Sequence, residues 1–186
     1  MVATIIVIGI VVALVVVFFM LYNTLVRLRN QVDEGWAQID VQLKRRADLI
    51  PNLVETVKGY ASHEKETLGA VTNARAALQG AGENPKAAAA ADDMLSSALG
   101  RLFAVSEAYP DLKASTNFSQ LQEELATTEN KVAFARQYYN ARVRELNTKV
   151  QTVPYNLVAG AAKATERDYF EVPENSAARE APTVQF

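Results

Sequence analysis

The stretch Val2–Tyr22, VATIIVIGIVVALVVVFFMLY, contains no charged residue and is apolar almost without interruption. A helix of about 21 residues is roughly 31 Å long, which is enough to cross a hydrocarbon core of about 30 Å. A cleaved secretory signal would instead show a basic n-region, a shorter apolar run and a small-residue cleavage site, and the sequence has none of them. We therefore predict an uncleaved, single-pass transmembrane anchor over residues 1–24.

Basic residues follow the anchor directly and predict its orientation. Arg27 and Arg29 come first, and the cluster Lys44-Arg45-Arg46 lies one stretch further along. Because Lys and Arg near a membrane span are retained on the cytoplasmic side, we expect the C-terminal body to face the cytoplasm. These five cations are also the candidate lipid-facing or interaction residues, although such a cluster is more often a solvated helix face.

An apolar stripe continues beyond the anchor with helical spacing. Its members are Leu25, Leu28, Val32, Trp36, Ile39, Leu43, Ile50, Leu53, Val57 and Tyr60, followed by Leu68, Val71 and Leu78. The pattern predicts a helix that leaves the bilayer and runs on for many turns, with Trp36, Ile39, Leu43, Leu53 and Val57 as helix-packing residues. Pro51 lacks an N–H, so we expect a kink or a break at Ile50; two stacked helices and one kinked helix fit equally well.

The rest of the chain predicts further helices separated by turns. A turn at Gln79–Pro85 precedes a helix over Lys86–Glu107, with Asn84 as its N-cap. The stripe in Leu121–Val150 has a step of about 3.6 residues, which is typical of a bundle helix more than of a strict heptad coiled coil. A shorter amphipathic segment, Tyr155–Tyr169, either packs on the bundle or lies at a membrane surface.

The predicted fold class is all-α. An N-terminal transmembrane helix is continuous with an antiparallel bundle of three or four long helices, plus a short C-terminal amphipathic helix. The presence of only 8 Gly and 6 Pro argues against a many-stranded β fold. The predicted divisions are the anchor at 1–24, the helical bundle at 25–170, and a flexible tail at 171–186, which has two prolines and no apolar period.

Composition and motifs argue against several chemistries. With 19 Lys and Arg against 21 Asp and Glu and 8% aromatic residues, the chain does not resemble a nucleic-acid binder. The absence of Cys excludes thiolate metal sites and Cys nucleophiles. No phosphate-binding loop, nucleophile elbow or His-Glu-x-x-His motif is present. His63–Glu66 is the one tract with ligand-type residues; we interpret it as a solvated helix face and keep a metalloenzyme only as a weak alternative.

Two pairs of acidic residues can be explained by helix structure without a catalytic role. Asp92-Asp93 and Glu123-Glu124 are assigned to the first turns of their predicted helices, where carboxylates stabilise the positive end of the helix dipole. We therefore predict no enzyme activity, no catalytic residue and no cofactor.

Three long motifs closely resemble the LemA family. They are Trp36–Tyr60 (WAQIDVQLKRRADLIPNLVETVKGY), Ala108–Lys113 (AYPDLK) and Thr128–Asn140 (TENKVAFARQYYN). The resemblance implies a single-pass bacterial membrane protein with a long-helix bundle, in a family without an established enzymatic activity. Relatives are often encoded beside predicted membrane proteases or other envelope proteins, and some are linked to membrane remodelling. No catalytic residues carry over, and Lys44, Arg45 and Arg46 are expected to face outward or toward a neighbouring subunit.

These observations predict a homo-oligomeric scaffold at the bacterial cytoplasmic membrane that organises partners or shapes the lipid bilayer. The alternative is an adapter for a membrane protease or an envelope-stress system, with the C-terminal tail as its docking strand.

Overall fold

The computed structural model describes residues 1–171, and over this range the chain forms helices joined by turns, with no strand. The predicted tail at 171–186 lies almost entirely outside the described residues. The helices are α1 (Val2–Lys58), α2 (Lys65–Gly80), α3 (Pro85–Ser106), α4 (Pro110–Lys113), α5 (Thr116–Gln151) and α6 (Asn156–Ala159). The all-α prediction, with an N-terminal apolar helix that runs on into the body of the chain, is confirmed.

Helix α1 continues through Pro51 as a single helix, so of the two alternatives the break at Ile50 is wrong. A proline inside a helix cannot donate a hydrogen bond to the carbonyl four residues earlier, which here belongs to Ala47. The side chain of Arg75 on α2 replaces that donor, since its Nε lies 2.9 Å from the Ala47 oxygen. The carbonyl that Pro51 leaves without a backbone partner is therefore satisfied from a neighbouring helix, and this bond favours continuation of α1.

The predicted stripe from Leu25 to Leu78 is divided between two helices. Helix α1 ends at Lys58, and a turned segment from Gly59 to Glu64 leads into α2. Tyr60, which was assigned to the inward stripe, is exposed. Gly59 directly after a basic last turn is a common sequence signal for the end of a helix.

Local sequence signals account for the start of α3. The Oδ1 atom of Asn84 accepts hydrogen bonds from the backbone N–H groups of Lys86 at 3.0 Å and Ala87 at 3.1 Å. Pro85 occupies the first turn, where a missing N–H costs nothing. The predicted N-cap at Asn84 is thus confirmed.

The chain divides into two compact units that share α1 and α5. Unit 1 contains α1 up to Ala37 and residues 137–168, which include the end of α5 and the whole of α6. Gly35 allows the close approach of the two long helices in this unit, because a Cβ atom there would lie 3.2 Å from the Tyr139 Cα and from the Tyr138 ring. The buried apolar side chains of this unit include Leu25, Leu28, Val32, Tyr139, Val143 and Leu146.

Unit 2 contains α1 from Gln38 onward, α2, α3, α4, α5 up to Arg136, and the described residues after Asp168. In this unit α1 and α5 are antiparallel, since Arg45 reaches Glu124 while the later residues Asn52 and Thr56 line a groove with the earlier Asn117. Its core consists of Ile39, Leu43, Ile50, Leu53, Val57, Leu68, Val71, Leu95, Leu102, Leu112, Leu125 and Val132, among others.

The predicted amphipathic helix over Tyr155–Tyr169 is shorter than expected. Only α6, which has four residues, is helical, and the backbone from residue 164 to 171 has no regular structure. Side chains of α5 hold part of this irregular segment in place through hydrogen bonds. The Asn147 side chain bonds to both the N–H and the carbonyl of Arg167 at 2.9 Å, and the Tyr139 hydroxyl donates to the Asp168 carbonyl at 2.8 Å.

Candidate membrane and interaction surfaces

The first twenty residues of α1 form an apolar surface without cover from the chain itself. Every residue from Met1 to Met20 is exposed, and the most apolar window of the helix has a mean hydropathy of 3.3. Burial begins one turn later, where Leu25 is completely covered. In the described part of the chain, α1 is the one helix that is long and apolar enough to cross a membrane.

The two cations nearest to this surface have different environments in unit 1. Arg27 is exposed. Arg29 is half-buried, and its Nη1 donates to the carbonyl oxygen of Ala162 at 3.2 Å. Of the two, Arg27 is therefore the one that is open to a lipid headgroup or a partner.

The cluster Lys44-Arg45-Arg46 does not present three cations on one face. Lys44 is exposed and pairs with Asp40 at 2.6 Å, a hydrogen bond that raises the pKa of the lysine above its ordinary value. Arg45 is exposed, and its Nη2 lies 3.9 Å from an oxygen of Glu124. Arg46 is 1% exposed, so its expected outward orientation is wrong.

Arg46 joins three helices of unit 2 through a buried polar cluster. Its Nη1 lies 2.5 Å from the Asp92 carboxylate, and its Nη2 lies 3.0 Å from the Ser96 hydroxyl and 3.5 Å from Glu129. Asp92 and Ser96 belong to α3, and Glu129 belongs to α5. We name Arg46, Asp92, Ser96 and Glu129 the Arg46 cluster.

Desolvation is the main electrostatic influence in the Arg46 cluster. Burial raises the pKa of the Asp92 carboxyl above its ordinary value, against the opposing attraction of the Arg46 guanidinium. Asp92 does not lie in the first turn of α3, which starts at Pro85, so the helix-dipole explanation for it is wrong. Its position is explained by the buried cation, because an unpaired charge in a core is far more costly than a paired one.

The predicted helix-packing residues are divided between the two units. Ile39, Leu43, Leu53 and Val57 are buried inside unit 2. Trp36 belongs to unit 1, where it is half-buried, and its ring centroid is 5.9 Å from that of Tyr139. Because the chain covers the first four side chains itself, a contact between two copies would have to use other residues of α1.

The Tyr139 side chain is held in place at both ends. Its ring contacts Trp36, its hydroxyl donates to the Asp168 carbonyl, and burial raises its pKa to about 12. The neighbouring Tyr138 ring lies under the guanidinium of Arg142 at 5.5 Å. These contacts serve packing and orientation and supply no reactive group at neutral pH.

An open polar groove of about 400 Å³ lies between the end of α1 and the start of α5 in unit 2. Its lining consists of Asn52, Glu55, Thr56, Asn117, Gln120, Leu121 and Glu124. Amide and carboxylate groups predominate, so the groove suits a polar or cationic segment of a partner better than an apolar ligand.

The tract His63–Glu66 is part of the turn before α2 and the first turn of that helix. His63 is exposed, and Glu64 accepts a hydrogen bond of 3.0 Å from the Tyr109 hydroxyl. That bond raises the pKa of Tyr109. Within residues 1–171, no group of three or more His, Asp or Glu side chains is placed to hold a metal ion.

The sequence gives little indication of the roles of Arg75, Glu129 and Arg46. Arg75 and Glu129 belong to ordinary polar faces by spacing, and their roles depend on helices that are distant in sequence. Arg46 was noticed only as part of a basic run. A signal was nevertheless present in the spacing. Arg46 lies three residues after Leu43 and four before Ile50, on the same face of the helix, whereas Arg45 lies on another face.

Comparison with known proteins relates this chain to one family model and to several bacterial proteins. The model of the LemA family matches residues 35–186. Protein LemA of Metamycoplasma hominis is 28% identical over 147 residues, which cover 77% of this chain and 67% of that protein. Magnetosome protein MamQ 2 of Paramagnetospirillum magneticum is 25% identical, with 87% of this chain and 68% of that protein covered. Magnetosome protein MamQ of Magnetospirillum gryphiswaldense is 23% identical, with coverages of 86% and 68%.

Proposed function

The chain belongs to the LemA family, and from this premise we propose that it is a membrane-anchored helical scaffold that self-associates and organises partners or shapes the bilayer. Its setting is the cytoplasmic membrane of a bacterium, with the helical body in the cytoplasm. We assign no catalytic step and no cofactor to it.

The observation that carries this proposal is the exposed apolar segment of α1. Apolar side chains from residue 1 to residue 20 have no cover within the chain, and the first charged residue is Arg27. Exposing such a surface to water is unfavourable by about 25 cal/mol per Å². A lipid bilayer removes that cost and matches the length of the segment.

The cytoplasmic orientation is supported by cations in unit 1. Arg27 follows the anchor in sequence, and Lys149 and Lys163 belong to the same unit through the end of α5 and the segment after α6. A concentration of Lys and Arg next to a span favours the cytoplasmic side.

Self-association is favoured by confinement and by the exposed surface. Anchoring restricts chains to two dimensions and raises their effective concentration, so weak contacts between helix faces become sufficient for assembly. Val41 on α1 and Phe134 on α5 are large apolar side chains that remain exposed in unit 2. The relatives named as magnetosome proteins support a membrane-associated role.

The mass and shape of the full-length particle in a mild detergent test this function. A multimer that is also captured by cross-linking at Phe134→Cys would support a scaffold. A strictly monomeric species, in detergent and after reconstitution into vesicles, would overturn it. Recovery of the mature chain from the soluble fraction, beginning beyond Tyr22, would overturn the anchor.

A second candidate function is an adapter for a membrane protease or an envelope-stress system, and the polar groove of unit 2 favours it. Glu55 and Glu124 on its lining provide negative charge for a cationic segment of a partner. A pull-down of bound proteins should then weaken with Glu124→Lys. If partners are kept after removal of residues 177–186, the C-terminal tail is not the docking strand.

A further inference from the structure

We propose that the segment Val150–Ala162 is a second membrane contact, which places the side chains of Val153 and Leu157 in the lipid interface beside the anchor. This inference rests on the proposed membrane anchoring of α1. It adds a lipid-contacting surface that is distant from the anchor in sequence.

The position of the segment follows from the pairing of helices in unit 1. Gly35 approaches the Tyr139 backbone closely, and the residues of α5 beyond this point cluster with the part of α1 before it. From Tyr139 to the end of α5 at Gln151 is about 18 Å at 1.5 Å per residue. The same distance along α1 from Gly35 leads to Asn23. The end of α5 is therefore level with the end of the exposed apolar surface.

Burial in unit 1 agrees with this pairing. Leu25 on α1 and Leu146 on α5 are both fully buried, so both helices are covered near this level. The far end of the segment is attached to α1 by the hydrogen bond between Arg29 and the Ala162 carbonyl. Both ends of Val150–Ala162 are thus fixed beside the first turns of α1 that follow the apolar surface.

One face of the segment is anchored on unit 1, and the other is apolar and uncovered. Val158, Ala159 and Ala162 are buried. Val153 is 74% exposed and Leu157 is 78% exposed, the two highest values after Met1 among the large apolar residues that the structure describes. Because the buried residues hold the backbone in place, these two side chains cannot turn inward without breaking that packing.

The charge pattern of the segment fits a lipid interface. From Val150 to Ala162 there is no charged residue, and Lys149 and Lys163 lie directly before and after it. The Lys149 ammonium lies 4.2 Å from the centre of the half-buried Tyr155 ring. Tyrosine and flanking lysines are the residue types favoured where hydrocarbon meets anionic headgroups.

The nearest carboxylates in sequence do not oppose this arrangement. Glu145 pairs with Arg142 at 2.8 Å, and the Glu166 side chain accepts a hydrogen bond of 3.0 Å from Gln151. Single exposed apolar residues are common on protein surfaces and need no partner. Val153 and Leu157 differ from such residues because they lie on an uncharged segment at the level where the uncharged anchor ends.

Site-directed spin labelling tests the proposal in the full chain. The protein contains no Cys, so Val153→Cys and Leu157→Cys each give a single labelled site. Both positions are exposed, so a label does not disturb the core. Matched controls are Val12→Cys in the anchor and Met94→Cys, which is exposed on unit 2. Each variant is reconstituted into vesicles of phosphatidylcholine and phosphatidylglycerol, and collisions with oxygen and with a water-soluble nickel chelate are measured.

The expected result is a loss of nickel accessibility and a gain of oxygen accessibility at Val153 and Leu157 relative to Met94, in the direction shown by Val12. If both labels match Met94 while Val12 remains in lipid, the second contact is wrong and the anchor stands. If Val12 is also accessible to nickel, the proposed membrane anchoring itself is wrong.

Discussion

The two units of this chain depart from the usual arrangement of apolar and charged residues in opposite ways. Unit 1 includes the part of α1 whose apolar side chains are all exposed from residue 1 to residue 20. Unit 2 contains Arg46, a charged side chain that is buried between three helices. The proposed membrane anchoring resolves the first departure with lipid as the solvent, and counter-charges within the fold resolve the second.

This difference separates two kinds of information in the sequence. An exposed apolar run can be recognised from composition alone, because its partner is a generic medium. A buried cation leaves a weaker signal, which is its place on an apolar stripe, and its acceptors lie on helices that are distant along the chain. Five predictions, in order of decreasing expected effect, test this contrast.

Replacing the buried cation should have the largest effect on folding. Arg46→Met leaves Asp92 and Ser96 without their partner, and removing one member of a buried ion pair typically costs about 3–5 kcal/mol. The matched control is Arg45→Met, which removes the same charge from an exposed pair and should cost about 0–1 kcal/mol. Chemical unfolding of the full chain in detergent, followed by helical circular dichroism, measures both. Equal losses would show that the Arg46 cluster is not a stabilising contact.

The cost of Arg46→Met should also depend on pH. Without the guanidinium, the folded-state pKa of Asp92 rises further, since the attraction that lowers it is lost. A carboxyl group whose pKa is raised in the folded state contributes its full stabilisation below its unfolded-state pKa. That contribution to stability is lost as the pH rises through the folded-state pKa. The stability difference between wild type and Arg46→Met should therefore be largest near neutral pH and shrink in acid. A difference that stays constant down to pH 3 would contradict this.

A charge placed in the apolar surface of α1 should impair membrane insertion. Val12→Arg puts a guanidinium near the middle of the anchor, where insertion becomes less favourable by about 2.5–3.5 kcal/mol. Val41→Arg is the matched control, because Val41 is also exposed but belongs to unit 2. The fraction of protein retained in membranes after an alkaline carbonate wash should fall for Val12→Arg only. Equal retention of the two variants would remove the contrast between the units.

Loss of the hydrogen bond from Arg75 to the Ala47 carbonyl should have an intermediate effect on the free energy of unfolding. Arg75→Met leaves the Ala47 carbonyl without its donor, which costs about 1–3 kcal/mol for a buried polar group. In the background of Pro51→Ala, the restored backbone N–H can take over that carbonyl, so the same Arg75→Met change should cost less. A double-mutant cycle of unfolding free energies measures the coupling, and strictly additive losses would contradict the role of Arg75.

The smallest effect is expected in unit 1 at Tyr139. Tyr139→Phe removes the hydrogen bond to the Asp168 carbonyl, with a loss of about 0.5–1.5 kcal/mol. Tyr138→Phe serves as the neighbouring control. Because burial raises the pKa of Tyr139 to about 12, its contribution is present below pH 10 and is lost as the pH rises toward 12. The alkaline decrease of wild-type stability should therefore be shallower in Tyr139→Phe, and an unchanged pH profile would contradict the assignment.

The sequence was sufficient for the elements that depend on local signals. The long apolar N-terminal helix, the cap at Asn84 and the all-α class follow from composition, spacing and the chemistry of single residues. The continuity of α1 through Pro51 could not be predicted in this way, because the compensating donor is Arg75 on another helix. The burial of Arg46 was missed for the same reason, since its acceptors on α3 and α5 are revealed only by tertiary packing.

The C-terminal part of unit 1 shows a second limit. The apolar spacing of Tyr155–Tyr169 suggested an amphipathic helix, whereas the structure has one short helix followed by irregular backbone. Hydrogen bonds from Asn147 and Tyr139 satisfy backbone groups of Arg167 and Asp168 in this part of the chain. A period in apolar residues therefore identified a half-buried segment correctly but did not decide its backbone conformation.

The buried guanidinium of Arg46 also has a consequence for biosynthesis. The ribosome makes α1 first, and Asp92 and Glu129 leave the exit tunnel later in the same round of translation. Until then Arg46 has neither carboxylate available and stays hydrated, so the nascent α1 cannot complete its packing early. Final closure of this core must wait until α5 has emerged. By then the apolar first part of α1 has already left the ribosome.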